Sequence, residues 1–299
     1  MPAAPASFLD PAMLARISDL ALLARTVVDG FMHGQHRSMR KGASMDFAEH
    51  RSYQPGDDLR RIDWNVFARL ERPFIKLLEE EEDLAVHVLL DASTSMDWPH
   101  GDTLADNKFT FARRVVAGLA HISLGSGDRL TVNALRGGSS IGATWGPYRG
   151  RGRTLDLIRF LSGVQASGST DLNAALRDYA VRTSRAGLCL IVSDLLSPGG
   201  YQDGLAALQG RGHEIALIHD EVNPPMAGDL RLVDSETGVA QDVTVDGALR
   251  DQYVRRLLAW REEISTYAAR RGIHYATVET STPWEALILY ELRRMGLVH

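Results

Sequence analysis

Residues 84–95 read Leu84-Ala85-Val86-His87-Val88-Leu89-Leu90-Asp91-Ala92-Ser93-Thr94-Ser95. A short, nearly unbroken apolar run of this length marks a strand covered on both faces, as in a parallel sheet. The run leads straight into Asp91-x-Ser93-x-Ser95. An acid and two hydroxyls at alternate positions, just past the carboxyl end of a buried strand, form half of a cup for a small hard cation. Two later loops carry the groups such a cup still lacks. They are Ser169-Thr170-Asp171, and Asp194 after the apolar run Leu188–Ser193.

The chain around this stretch alternates between the two periods. Leu84–Leu90, Arg129–Leu135, Leu188–Ser193, Glu214–His219 and His274–Val278 read as strands, and Ile141–Tyr148 as an edge strand. Asn107–Leu124, Arg153–Val164, Asp171–Ser184, Gly200–Gln209, Leu249–Arg271 and Trp284–Met295 read as helices. Ser169 and Thr170 are the expected caps of the helix at 171–184. In the long helix, Tyr253, Leu257, Trp260, Ile264, Tyr267 and Ala268 are expected to face inward. Arg231–Val245 breaks the pattern and reads as a hairpin around Glu236-Thr237-Gly238. Strands separated by helices of this length predict an α/β fold, with a mostly parallel, doubly wound, Rossmann-like sheet. Such sheets bind ligands outside the carboxyl ends of their strands, and Asp91 and Asp194 both fall there.

Upstream, Pro11–Met32 has helical spacing and His33–Lys41 is a basic loop. Ser44–Arg69 reads as irregular and charged, with a turn at Pro55-Gly56-Asp57. Arg72–Leu78 reads as a strand, followed by the acidic run Glu79–Asp83. The expected organisation is an N-terminal helix and charged extension over residues 1–80. A domain over 81–299 follows, with an insertion at about 228–247.

The chain has 299 residues, enough for one large domain with an appendage. Its net charge of −5, from 33 Lys+Arg against 38 Asp+Glu, speaks against general nucleic-acid binding. No apolar stretch approaches the ~20 residues of a membrane helix, and Met1–Asp10 lacks the pattern of a secretion signal. The single cysteine, Cys189, lies inside an apolar run and is expected to be a buried core residue. A cytoplasmic protein without a direct membrane span is the expectation. No Gly-x-x-x-x-Gly-Lys-Ser/Thr cradle is present, so ATP hydrolysis by this chain is not expected.

Mg²⁺ prefers oxygen ligands in near-octahedral geometry and surrenders its waters reluctantly. Hydroxyls from Ser93, Ser95 and Thr170, with the carboxylates of Asp91 and Asp194 behind them, suit Mg²⁺ or a similar ion such as Mn²⁺. An acidic side chain from a partner could then complete the coordination. On the blander reading, Ser93 and Ser95 cap the next helix and Asp194 merely ends a strand.

Asp91-Ala-Ser93-Thr-Ser95-Met96, Gly168-Ser169-Thr170-Asp171 and Ile191-Val-Ser-Asp194 resemble the metal-ion-dependent adhesion site of von Willebrand factor type A domains. The resemblance assigns Ser93, Ser95 and Thr170 as hydroxyl ligands, and Asp91 and Asp194 as acids that reach the metal through water. A second stretch, Tyr53-Gln-Pro-Gly-Asp57-Asp58-Leu-Arg60-Arg-Ile62-Asp63-Trp64 with Arg69, resembles a bacterial domain-of-unknown-function family, number fifty-eight. Its members commonly accompany MoxR-type AAA+ ATPases. That resemblance implies a module working beside such an ATPase in the assembly or activation of other proteins. The charged residues Asp57 to Trp64 then read as a brace for the N-terminal segment or as a partner surface.

The expected function is therefore a metal-dependent protein-binding module and not an enzyme. One alternative is a Mg²⁺-dependent phosphoryl hydrolase, but the second acid it needs two residues after Asp91 is Ser93. The other is a structural adaptor whose site stays empty.

Overall fold

A computed structural model describes residues 45–54, 62–70, 72–80, 84–99, 107–138, 141–221 and 227–288. The expected helix at 11–32, the basic loop at 33–41 and the turn at 55–57 lie outside these residues. The chain divides into two compact units, one within 34–83 and one containing 84–299.

In the smaller unit, strand β1 (Met45–Ser52) pairs antiparallel with β2 (Phe74–Glu80), with a bulge between Phe47 and Glu49. The expectation of irregular chain over 44–69 is corrected here. A strand and a helix, α1 (Trp64–Leu70), occupy much of it. Asp63 caps α1, its carboxylate accepting the Val66 N–H at 3.2 Å. Acid and base side chains dominate β1, so its hydrophobic period is too faint to read, and only pairing with β2 makes it a strand.

The larger unit is a mixed α/β layer structure. Its six-stranded sheet has the order β10-β7-β6-β3-β4-β5. These strands are β3 (Ala85–Asp91), β4 (Arg129–Leu135), β5 (Ile141–Tyr148), β6 (Leu188–Ser193), β7 (Glu214–Glu221) and β10 (His274–Glu279). All neighbours are parallel except the edge strand β5, which runs antiparallel to β4. The remaining strands, β8 (Gly228–Val233) and β9 (Ala240–Val245), form the expected hairpin. The chain steps from β3 to β4 on one side and later from β3's other side to β6. The direction of winding thus reverses between β3 and β6, and a crevice opens at their carboxyl ends.

Helices cover both faces. Helices α2 (Lys108–Ser126) and α3 (Thr154–Gly163), with residues around Trp284, bury one face against Val86, Val88, Leu90, Val192 and Ile218. Helices α4 (Leu172–Arg182), α5 (Gln202–Gly210) and α6 (Gly247–Arg270) bury the other against Leu89, Ile191 and Leu217. Cys189 is fully buried, as expected.

Two sequence expectations change. The cap of α4 is Asp171, whose carboxylate accepts the Ala174 N–H at 2.9 Å, and not Ser169 or Thr170. Thr170 instead pairs with Gly138 in a short parallel bridge. In α6 only Ile264 and Ala268 are buried. Tyr253 is exposed, along with Leu249, Val254 and Leu258. The inward stripe therefore covers the second half of the helix only. No helix among the described residues is long and apolar enough to cross a membrane.

Candidate functional site

Three strand ends build the floor of the crevice. Leu90 pairs with Val192, and Ser193 pairs with His219. That register sets Asp91 and Ser193 side by side and brings Asp194 level with Asp220. All four are at most 3% exposed.

Asp91 is held from two directions. One carboxylate oxygen accepts the Ser93 N–H at 3.0 Å, and the other accepts the Ser193 hydroxyl at 2.6 Å. The Ser193 oxygen in turn accepts the Leu195 N–H at 3.0 Å. Ser93 opens a single 3₁₀ turn, Thr94–Met96, yet its side chain makes no capping bond. Its hydroxyl lies 3.0 Å from that of Ser95 instead. The blander reading, in which these serines serve as caps, is therefore not what the chain does. Two hydroxyl oxygens face each other above a buried carboxylate.

The loops that carry Thr170 and Asp194 are stitched to this one. Ala92 O accepts the Ser167 N–H, and Gly168 O accepts the Thr94 N–H, both at 2.8 Å. Gly168 turns the chain here with φ +71°, a left-handed conformation in which a side chain would be strained. Thr170 is buried, and its hydroxyl reaches the carbonyl of Leu135 at the end of β4 at 3.4 Å. The Ser197 hydroxyl donates to Thr170 O at 3.0 Å, tying the 194–197 segment to the same rim. Leu195 has φ +56°, a conformation rare for a branched, bulky residue.

Asp194 accepts the Leu196 N–H at 3.1 Å on one oxygen. On the other it meets the Lys108 ammonium at 2.5 Å, with both side chains at most 7% exposed. Lys108 is the first residue of α2, immediately after the cap Asn107. Its N–H bonds to Trp98 O at 2.9 Å, and Asn107 bonds Asp97 and Pro99 O. Contacts with Asp97, Trp98 and Pro99 thus hold the start of α2, from which the ammonium enters.

Asp220 completes the set. It is fully buried, and neither of its carboxylate oxygens has a hydrogen-bond partner among the described residues. Burial pushes its pKa well up, an effect opposed by the charge of Lys108 and reinforced by Asp194 and Asp91. Burial and then the Asp194 charge raise Asp91 from 3.8 to about 6. Asp194 and Asp220 thus lie within reach of one buried ammonium, with Asp91 within electrostatic reach of both acids, so the acidic groups outnumber the one cation among them. A further cation suits this cluster. Among the described residues no group of three or more His, Cys, Asp or Glu side chains is arranged to hold a metal alone. An ion here would need the hydroxyls of Ser93, Ser95 and Thr170.

The surroundings add two features. The carboxylate of Glu221, next to Asp220, is clasped by the Arg261 guanidinium through Nε, at 2.7 Å to one oxygen, and through Nη2. Glu236, at the turn of the β8–β9 hairpin, is half-buried between exposed neighbours. Burial and then the charges of Asp91 and Asp194 raise its pKa, which brings the hairpin turn within electrostatic reach of the crevice.

Sequence reading named Asp91, Ser93, Ser95, Thr170 and Asp194. It missed Ser193, Lys108 and Asp220. Asp220 had a visible signal, since it closes an apolar strand as Asp91 does. Lys108 had a fainter one, as a cation at the head of the buried stretch Lys108-Phe-Thr-Phe-Ala.

A mostly parallel sheet with helices on both faces and buried acids at its point of reversal places the larger unit in the α/β class. More narrowly, residues 49–263 match the family described as "Protein of unknown function DUF58", and the chain belongs to that family. It is 30% identical over 288 residues to uncharacterised proteins of Mycobacterium bovis and Mycobacterium tuberculosis, covering 94% of this chain and 89% of each relative. Among solved structures, it is similar to the conserved hypothetical protein BatB of Bacteroides thetaiotaomicron, with a TM-score of 0.44 and 15% identity. That match covers 71% of this chain and 98% of the other. An aerotolerance-related membrane protein of Bacteroides fragilis matches with a TM-score of 0.43 and 14% identity, covering 71% and 99%.

Proposed function

We propose that this chain is a divalent-cation-dependent protein-binding module of the von Willebrand factor type A kind. The observation that carries the reading is the paired hydroxyls of Ser93 and Ser95, 3.0 Å apart, above buried Asp91 and joined by hydrogen bonds to the loops of Thr170 and Asp194. Ser93, Ser95 and Thr170 would hold the ion through neutral oxygens, and Asp91 and Asp194 would act directly or through bound water. Neutral ligands leave most of the metal's charge facing outward, where an acidic side chain of a partner could reach it. Mg²⁺ fits this donor set, and Mn²⁺ is close to it in ligand preference.

The family resemblance at Tyr53–Trp64 supplies the partner class: a MoxR-type AAA+ ATPase, or the protein that such an ATPase assembles or activates. Buried, reduced Cys189 accords with a cytoplasmic setting. The position two residues after Asp91, where such a hydrolase carries its general acid, is held by Ser93. This counts against the hydrolase alternative.

The Lys108–Asp194 contact favours a second reading, a structural adaptor that uses its own ammonium and needs no metal. One titration separates the two. The intact chain is heated in chelator and then in rising Mg²⁺ or Mn²⁺. Stabilisation of about 2.7 kcal/mol is expected at a hundredfold excess over the dissociation constant, and none in Asp91→Ala. An unchanged melting curve for the unaltered chain refutes metal dependence. Pull-down of a neighbouring ATPase with and without chelator tests the partner.

A further inference from the structure

We infer that Lys108 is the resident cation of the crevice, competing with a divalent ion for Asp194 and thereby setting how much metal the site requires. The inference rests on the metal-binding reading and deepens it.

The contact is direct. The ammonium lies 2.5 Å from an Asp194 carboxylate oxygen, with both side chains at most 7% exposed. Asp194 is also one of the two acids, with Asp91, that the family resemblance gives to the metal. Its other oxygen is already engaged by the Leu196 N–H. An ion approaching Asp194 therefore meets an oxygen that holds a positive charge.

Lys108 is also fixed in place. It begins α2, behind the Asn107 cap and the bond from its own N–H to Trp98 O. The ammonium cannot leave Asp194 by sliding the backbone, so only its side chain can swing. Asp220 offers it a second seat, since that carboxylate is fully buried, bare of hydrogen bonds among the described residues, and attracted by the Lys108 charge. Val192 and Ile218 line the core face that α2 covers, and the two-residue period carries Asp194 and Asp220 to that same side. A metal ion arriving at the hydroxyls would thus push the ammonium from Asp194 towards Asp220. Like charges at short range in a buried site repel strongly, and the ion binds against that repulsion.

The test is calorimetric titration of Mg²⁺ and Mn²⁺ into the full chain and into Lys108→Met, Lys108→Gln and Lys108→Arg. The inference expects the two neutral variants to bind at least about tenfold more tightly than the unaltered chain, and Lys108→Arg no more tightly than it. Binding by the neutral variants alone also supports the inference, while removing metal dependence from the natural chain. Equal affinity across all four proteins overturns the inference and leaves the metal-binding reading standing. No binding by any of them overturns both. If the neutral variants unfold in chelator, circular dichroism replaces calorimetry. Refolding on addition of Mg²⁺ supports the competition, and failure to refold at Mg²⁺ that saturates the natural chain overturns it.

Discussion

Replacing Asp91 by asparagine is expected to stabilise the metal-free protein at alkaline pH. Asp91 is buried, and its pKa stands at about 6 against an ordinary 3.8, first because of burial and then because of Asp194. Such a carboxyl folds more readily with its proton on. The advantage is complete below pH 3.8 and disappears as the pH rises through 6. At pH 8 the ionised group therefore costs about 3 kcal/mol, at about 1.4 kcal/mol per pH unit. An asparagine keeps a carbonyl for the Ser93 N–H and places an amide against the Ser193 hydroxyl. It gives up only the charge-assisted part of those bonds, roughly 1 kcal/mol. Asp91→Asn in chelator should thus be about 2 kcal/mol more stable than the natural chain at pH 8, and no more stable at pH 4. Urea denaturation at the two pH values measures the difference. Adding Mg²⁺ at pH 8 should stabilise the natural chain and leave the variant unmoved. A variant less stable than the natural chain at pH 8 in chelator would refute the account of Asp91 as an under-compensated charge.

Gly187→Ala should destabilise the sheet by about 3 kcal/mol, because the new methyl would stand 2.0 Å from the Ala85 carbonyl oxygen and pry β6 from β3. A shifted denaturation midpoint with unchanged slope is the expected signature, and no shift would deny the close approach. His87 should make the fold sensitive to acid. Burial and then the His213 charge lower its pKa from 6.5 to about 4, so its contribution is intact above pH 6.5 and is lost as the pH falls towards 4. Comparing denaturation of the natural chain with His87→Gln between pH 7 and 4 should show a flatter profile for the variant. Parallel profiles would count against this role.

Much of the larger unit was legible because its strands are buried on both faces and its helices fill the gaps between them. Leu84–Leu90 and Leu188–Ser193 announce themselves as apolar runs, and an acid at the end of such a run draws the eye to the crevice. What stayed hidden depends on contacts distant in sequence. Strand β1 is defined by its partner β2 and not by its own pattern. Thr170 looked like a cap, but the bridge to Gly138 takes it and leaves capping to Asp171. The stripe along α6 is genuine in sequence, yet the sheet meets only half of it, which leaves Tyr253 outside. Lys108 and Asp194 are separated by 86 positions, so no local spacing could foretell their pairing.

Leu195 bears on how this crevice responds to a ligand. Its left-handed backbone is unfavourable for a leucine by roughly 1–2 kcal/mol. The side chain nonetheless packs into the core with Leu172 and Leu205, and its amide is spent on Ser193. The turn that aims Asp194 is thereby bolted to the interior of the domain. A carboxylate mounted this way cannot drift outward to meet an ion without unseating the leucine beneath it. The rim of the crevice thus takes its shape from the packing beneath it.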